Sequence, residues 1–262
     1  TMVRQLKPAG ALDPLEPALI LPEVVEPKNW YGESLMWVDS AKTILSFLAY
    51  PNNSLAINTR LVSPEEIKSY YDILNPKWKG KIVMNDPTTA GSGSMTFRVL
   101  GFNILDLDFF RQLAKLEPVI IRDQRLQVEW LAQGKYPIAY APQTAVVADF
   151  QQAGASISYV IPKEGTYLSS GSGNVSLVNQ APHPKAARIF INWMLTREGV
   201  NLFSQAFGSH GARIDVSTEG IDDIMLRKPG VKYWIGAHTE EFQLKEPEMM
   251  VPANEIFGAL VK

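Results

Sequence analysis

The chain has 262 residues, 46% hydrophobic and 20% charged, with a net charge of −2 and a pI near 6.0. That length supplies a core for one large or two ordinary domains, and the near-neutral charge gives no electrostatic footprint for nucleic acid or anionic lipid. The lack of cysteine excludes disulfides, zinc thiolates and thiol catalysis, and no apolar run approaches the ~20 residues of a membrane helix.

The opening "TMVRQLKPAG" reads as a helix already under way, with Val3 and Leu6 on one face and Gly10 as its stop. It has nothing before it to pack against, so a preceding segment is expected. The stretch to about residue 36 is proline-rich ("LDPLEPALILPEVVEPKNW") and predicts short turns and extended pieces. Its interleaved Leu, Ile, Val and Trp are not the composition of a disordered tract. "SLMWVDSAKTILSFLAY" carries two apolar runs around Asp39 and Ser40, a hairpin signal, and "SLAINT" adds a strand. "SPEEIKSYYDIL" predicts a helix, with Ser63 as N-cap, Pro64 in the first position and Glu66 closing a capping box.

From "KIVMNDP" onward strands and helices alternate. Asp108 is the expected cap of "FFRQLAKLEP", "PVIIRD" is a strand, and Asp123 caps "QRLQVEWLAQG", which Gly134 ends. "YPIAYA" and "SISYVIP" are strands around the helix "PQTAVVADFQQAG". This alternation predicts an α/β layer with a largely parallel sheet. "NVSLVNQ" is a further strand before "APHPKAARIFINWML", a helix begun by Pro184 whose Ala186, Ile189, Phe190, Trp193 and Met194 make one broad apolar face. Thr196 caps a last clear helix, ended by Gly208.

The junction "NDPTTAGSGSMTFRVLG" at 85–101 invites comparison with phosphate loops. Gly91 and Gly93 are present, but Met95 and Thr96 stand where a P-loop lysine or a third glycine belongs, so nucleotide binding is not expected. What remains is either a helix start that offers amides and the Ser92 and Ser94 hydroxyls to an anion, or serines that merely cap the helix. Catalytic constellations are scarce. There is no G-x-S-x-G and no H-E-x-x-H, and the three histidines (His183, His210, His238) all lie in the last third.

"NPKWKGKIVMNDP", "GKYPIAYA", "VIPKEGT" and above all "NQAPHPKAARIFINWMLTREG" resemble the periplasmic solute-binding proteins of bacterial ABC importers, in the family 1 extracellular, ferric-iron-type branch. The resemblance runs in order from about residue 1 to 215. It implies an α/β, two-lobed periplasmic-binding-protein-like (type II) fold with two crossover strands, "SLAINT" and "NVSLVNQ", and a cleft between the lobes. Residues 1–59 and 173–262 would form the first lobe, incomplete at its N-terminus, and 60–172 the second. The implied function is capture of a small solute by hinge closure, without chemistry and without a cofactor. The implied setting is the periplasm, or tethering to the outside of a membrane. The implied partners are the importer's membrane subunits, with no nucleic acid, and the complete protein would be a monomer.

In such folds ligands meet the carboxyl ends of strands and helix N-termini, which points to the junctions 89–94, 122–125 and 140–144. The candidate ligand-binding residues are Thr89, Ser92, Gly93, Ser94, Arg122, Arg125, Tyr140, Tyr167 and Ser169. Arg122 and Arg125 suit a carboxylate or phosphonate, and the tyrosines offer a hydroxyl or ring face. An anionic solute is therefore expected. Ferric iron is the alternative, since that branch binds it through an adjacent tyrosine pair, whereas "AYAPQTA" has one tyrosine and Tyr70 and Tyr71 lie away from the expected cleft. No metal ligand is assigned. An enzyme on the same fold, with Asp86 or Asp123 as its acid, is a further alternative, and an effector-sensing domain finds no DNA-binding element to serve.

Overall fold

The computed structural model describes residues 2–261; Thr1 and Lys262, the outer ends of the expected first lobe, lie outside the described residues. The chain divides into two compact units. Unit 1 comprises Thr1–Pro51, Leu168–Arg227 and Ile235–Lys245, and unit 2 comprises Asn52–Tyr167, Lys228–Trp234 and Glu246–Lys262. The backbone passes from one unit to the other at five points along the chain.

Unit 2 is built on a five-stranded sheet in the order Val119–Ile121, Ile82–Asn85, Ile138–Tyr140, Leu55–Asn58, Ile157–Val160. The first three strands are parallel, and Leu55–Asn58 runs antiparallel to both its neighbours. The expected first crossover, "SLAINT", is thus an interior strand of this sheet. Helices Ser92–Val99, Leu107–Lys115, Gln124–Ala132 and Thr144–Gln152 alternate with the strands.

The run "IVM" is continuous because the sheet is covered on both faces. Ile82 and Met84 enter a core with Phe97, Phe110, Leu113 and Tyr140, while Val83 enters another with Val128, Leu131, Ala139 and Val147. The C-terminal helix Glu246–Phe257, expected in the first lobe, packs in unit 2 against Ser92–Val99 and Leu107–Lys115. Phe257 is fully buried, edge-on to Phe97 and Phe110 at 6.3 Å from each, and Glu246 pairs with the buried Arg98 at 3.3 Å.

Two local readings also change. "SPEEIKSYYDIL" forms two 3-10 turns, Pro64–Glu66 and Tyr70–Leu74, because Ser69 and Asp72 close a second capping box directly after that of Ser63 and Glu66. Asp106, not Asp108, caps Leu107–Lys115, its Oδ1 accepting from the Phe109 amide at 2.9 Å.

Unit 1 holds an antiparallel sheet in the order Leu12–Asp13, Asn174–Val178, Ile44–Ser46, Met36–Trp37. The expected hairpin is there, and Asp39 makes its turn: Oδ1 accepts from the Thr43 and Ile44 amides at 2.9 and 3.0 Å. Helix Pro184–Met194 starts where expected, yet most of its apolar stripe, Met194 excepted, does not turn inward. Ile191, Asn192 and Met194 are buried, whereas Ile189 is 72% and Phe190 52% exposed. Asn192 is the reason: its Nδ2 donates to the Ala18 carbonyl at 2.7 Å and its Oδ1 accepts from the Ile20 amide at 2.8 Å. This one amide thereby ties the proline-rich stretch to the helix, satisfying backbone groups that the prolines leave without regular partners.

Candidate ligand-binding loop

The parallel strand Ile82–Asn85 ends in two buried polar residues, Asn85 and Asp86. Asn85 Oδ1 accepts from the Gly93 amide at 3.0 Å and lies 3.1 Å from Ser92 Oγ, while its Nδ2 donates to the Ile121 carbonyl at 3.4 Å. The start of helix Ser92–Val99 is thus bound to the strand it follows. A Cβ on Gly93 would stand 2.4 Å from the carbonyl oxygens of both Asn85 and Asp86, so only glycine permits this approach.

Ser92 Oγ also lies 2.9 Å from the Ala141 carbonyl and accepts from Gln124 Nε2 at 3.4 Å. Ser94 is buried and occupied locally, accepting from the Gly91 amide and donating to the Gly91 carbonyl, both at 3.2 Å. The helix start therefore satisfies several of its polar groups internally. Ser94 and Gly93 shape the loop, and Ser92, half-buried, is the serine nearer solvent.

Asp86 organises the other side. Its Oδ1 accepts from the Thr88 amide at 2.8 Å and the Thr88 hydroxyl at 2.7 Å, and its Oδ2 from Arg122 Nε at 2.9 Å. Burial works against its charge, but the Thr88 hydroxyl and amide, the Arg122 guanidinium and the Thr89 hydroxyl outweigh it and hold the carboxyl below its ordinary range. Arg122 is fixed through Nε alone. Its side chain stays 68% exposed, and its two terminal nitrogens have no protein partner among the described residues. Thr89, Ser92, Gly93, Ser94 and Arg122 thus come together, joined by Asn85, Asp86 and Gln124. Asn85 and Asp86 were legible as the strand end in "MNDP"; Gln124 carried no signal.

Four other candidates lie elsewhere in the packing. Arg125, the second residue of helix Gln124–Ala132, sets its guanidinium 5.3 Å over the Phe150 ring, whereas Arg122 precedes the Asp123 cap, so the two arginines share no helix face. Tyr140 is fully buried, edge-on to Phe110 at 6.1 Å, and burial pushes its hydroxyl well above the usual tyrosine range. Tyr167 is fully buried with its hydroxyl 3.2 Å from Thr96 Oγ1. Tyr140 belongs to the main core of unit 2, and neither tyrosine reaches solvent. Ser169 belongs to unit 1, where its Oγ accepts from the Gly171 amide at 3.2 Å and lies 3.4 Å from the Tyr50 hydroxyl. Of the adjacent pair, Tyr70 is buried, its hydroxyl raised to about 12 by burial, and Tyr71 packs edge-on to Phe109. Among the described residues no group of three or more His, Asp or Glu side chains is placed to hold a metal ion.

The backbone is similar to solved structures of two-lobed periplasmic-type binding proteins, which defines its fold class. One is an ABC transporter protein from Clostridium perfringens, at 19% identity and a TM-score of 0.72 over 96% of this chain and 79% of that one. Another is Trichodesmium FutA (IdiA) in complex with iron and citrate, at 18% and 0.70 over 97% and 79%. A third is AfuA from Actinobacillus pleuropneumoniae with fructose-6-phosphate bound, at 18% and 0.64 over 98% and 79%. Among curated protein sequences there is no significant match. A family model described as bacterial extracellular solute-binding protein matches residues 41–208. The chain belongs to that family, and its role is solute binding, as its ordered phrases anticipate.

Proposed function

We propose that this chain captures a small anionic solute outside the cytoplasm and delivers it to the membrane subunits of an ABC importer, performing no chemistry on it. The observation that carries the reading is the Arg122 guanidinium, anchored through Nε by the buried Asp86 and open at both terminal nitrogens. A guanidinium held in this way keeps a two-pronged edge for a carboxylate or phosphate. Ser92, Thr89 and Gln124 supply neutral polar groups beside it. The neighbours' ligands, citrate with iron in one and a sugar phosphate in another, are consistent with an anion. Periplasmic residence and hinge closure are part of this reading, supported by the match to an extracellular solute-binding family; among the described residues no helix is long and apolar enough to cross a membrane. The ferric alternative lacks an exposed tyrosine at this loop, since Tyr140 and Tyr167 are enclosed.

A thermal-shift screen over citrate, other small carboxylates, sugar phosphates, phosphonates and ferric ion tests the reading. A ligand at a hundredfold excess over its dissociation constant adds ~2.7 kcal/mol to stability. The expected result is a response to one or more anions that Arg122→Ala weakens by about tenfold, or ~1.4 kcal/mol, and that Arg125→Ala leaves unchanged. A response to ferric ion alone, or an anion response indifferent to Arg122→Ala, would overturn it.

A further inference from the structure

Within unit 1, the outer arm of the hairpin and the segment Ile235–Thr239 line a half-open cavity of about 330 Å³, in the size range of small-molecule sites. Its walls are largely apolar and aromatic, with Tyr31, Leu35, Met36, Trp37, Val38 and Ile235 among them. Among the described residues no Asp, Glu, Lys or Arg lines it. Lys42 and Arg227 lie against the Trp37 and Tyr31 rings at 5.9 and 4.7 Å from their centroids, but no charged side chain stands in the wall itself, so a charged occupant would give up part of its hydration without a direct ion pair, a cost that favours a neutral one.

Two hydroxyls in the wall are committed to protein acceptors. Ser46 Oγ donates to Asn174 Oδ1 at 2.7 Å, and Thr239 Oγ1 donates to the Gly236 carbonyl at 2.9 Å. His238 is different. Its Nε2 accepts from the Ser170 amide at 2.9 Å, and an imidazole nitrogen that accepts cannot carry the proton, so the neutral ring holds its hydrogen on Nδ1. Burial, which pushes this group down to about 4, keeps the ring in that form at neutral pH. The Nδ1–H has no protein acceptor among the described residues, and His238 is one of the residues that line the cavity. A donor in a mostly apolar cavity fixes both the polarity and the orientation of what fits there.

We propose that this cavity is a binding site for a small, flat, neutral and mostly apolar molecule with one hydrogen-bond acceptor, its body against the aromatic and aliphatic wall and its acceptor taken by His238 Nδ1–H. The inference does not rest on the anion reading of the Arg122 loop, which lies in unit 2 and would take a charged ligand rather than a neutral one.

The test titrates three probes of matched size into the whole chain, following backbone and side-chain chemical shifts by NMR. Acetophenone has the ring and a neutral acceptor, ethylbenzene has the ring without the acceptor, and benzoate has the ring with a charge. Acetophenone is expected to bind with a dissociation constant of about 1 mM or tighter, shifting Trp37, Val38, Ile235 and His238, with ethylbenzene about tenfold weaker and benzoate weaker still. His238→Ala should remove acetophenone's advantage over ethylbenzene while leaving ethylbenzene's own affinity in place. The wild-type shift map needs no variant to fold. No saturable binding of acetophenone, shifts outside the lining residues, equal binding of benzoate, or an acetophenone preference that survives His238→Ala would each overturn the proposal. Binding of anions at the Arg122 loop should be unaffected by His238→Ala, so failure of one site is distinguishable from failure of the other.

Discussion

Asp86 and Arg122 form an asymmetric pair: a buried carboxylate holds Nε at 2.9 Å while most of the arginine side chain stays in solvent. The carboxylate is also held by Thr88, so the strand end, the loop and the start of the next helix converge on one charge.

Replacing that charge should have a pH signature. The Asp86 carboxyl lies below its ordinary 3.8 in the fold, so the folded state binds this proton less tightly than the unfolded state. Its contribution is complete above about pH 5 and fades as pH falls through the folded value. Asp86→Asn should cost about 1–3 kcal/mol at pH 7. Urea unfolding of the two proteins should show that difference shrinking below about pH 4; an unchanged difference at pH 3 would separate the cost from ionisation.

Gly93→Ala should be among the more damaging small substitutions in unit 2. The added methyl meets two backbone carbonyl oxygens at 2.4 Å, and neither can rotate away as a side chain would. A loss of about 1–3 kcal/mol is expected. Ser92→Ala, which only removes hydroxyl hydrogen bonds, should cost about 0.5–1.5 kcal/mol. Denaturant midpoints measure both, and the reverse ranking would contradict the close approach.

Phe257→Ala tests the place of the C-terminal helix. Phe257 is fully buried among Phe97 and Phe110, so its removal should cost about 3–5 kcal/mol. Ile189→Ala, at a site 72% exposed, should stay within about 0.5 kcal/mol. Calorimetry on the two variants decides it.

His210 predicts a loss of stability in mild acid. Burial and the neighbouring Arg227 lower it from 6.5 to about 4, and its Nδ1 accepts from the Arg227 amide at 3.0 Å. Between those values the unfolded chain takes up the proton more readily than the folded one, so stability falls as pH drops from about 7 to 4. At ~1.4 kcal/mol per pKa unit, the fall should be about 2 kcal/mol, allowing for the part of the ring that reaches solvent. His210→Asn, which keeps an acceptor without titrating, should flatten that portion of the stability profile in urea unfolding at pH 7, 5.5 and 4.5.

The α/β class was legible because periodicity and caps are local: Asp123, Thr196, Pro184 and Gly134 mark helix ends through backbone groups within a few residues of themselves. The strand–loop–helix at 85–101 was legible for the same reason, and so was the hairpin about Asp39. Which candidate faces a ligand was not. Tyr140 and Arg125 have plausible chemistry by type, but a tyrosine's role depends on which face of the sheet it occupies, and an arginine's on the partner it reaches. Phe150 claims one and the core of unit 2 the other.

By itself, then, the amino-acid order determined the alternation of strands and helices, through short-range hydrogen bonding and side-chain spacing that need no distant partner, and its ordered phrases carried the resemblance that pointed to the family. Tertiary structure alone decided that the last helix joins unit 2, that the stripe of Ile189 and Phe190 faces outward, and that Asp86 reaches thirty-six positions along the chain to fix Arg122. Each of these depends on contacts between segments remote in sequence, where burial and charge pairing are set by what the fold brings together.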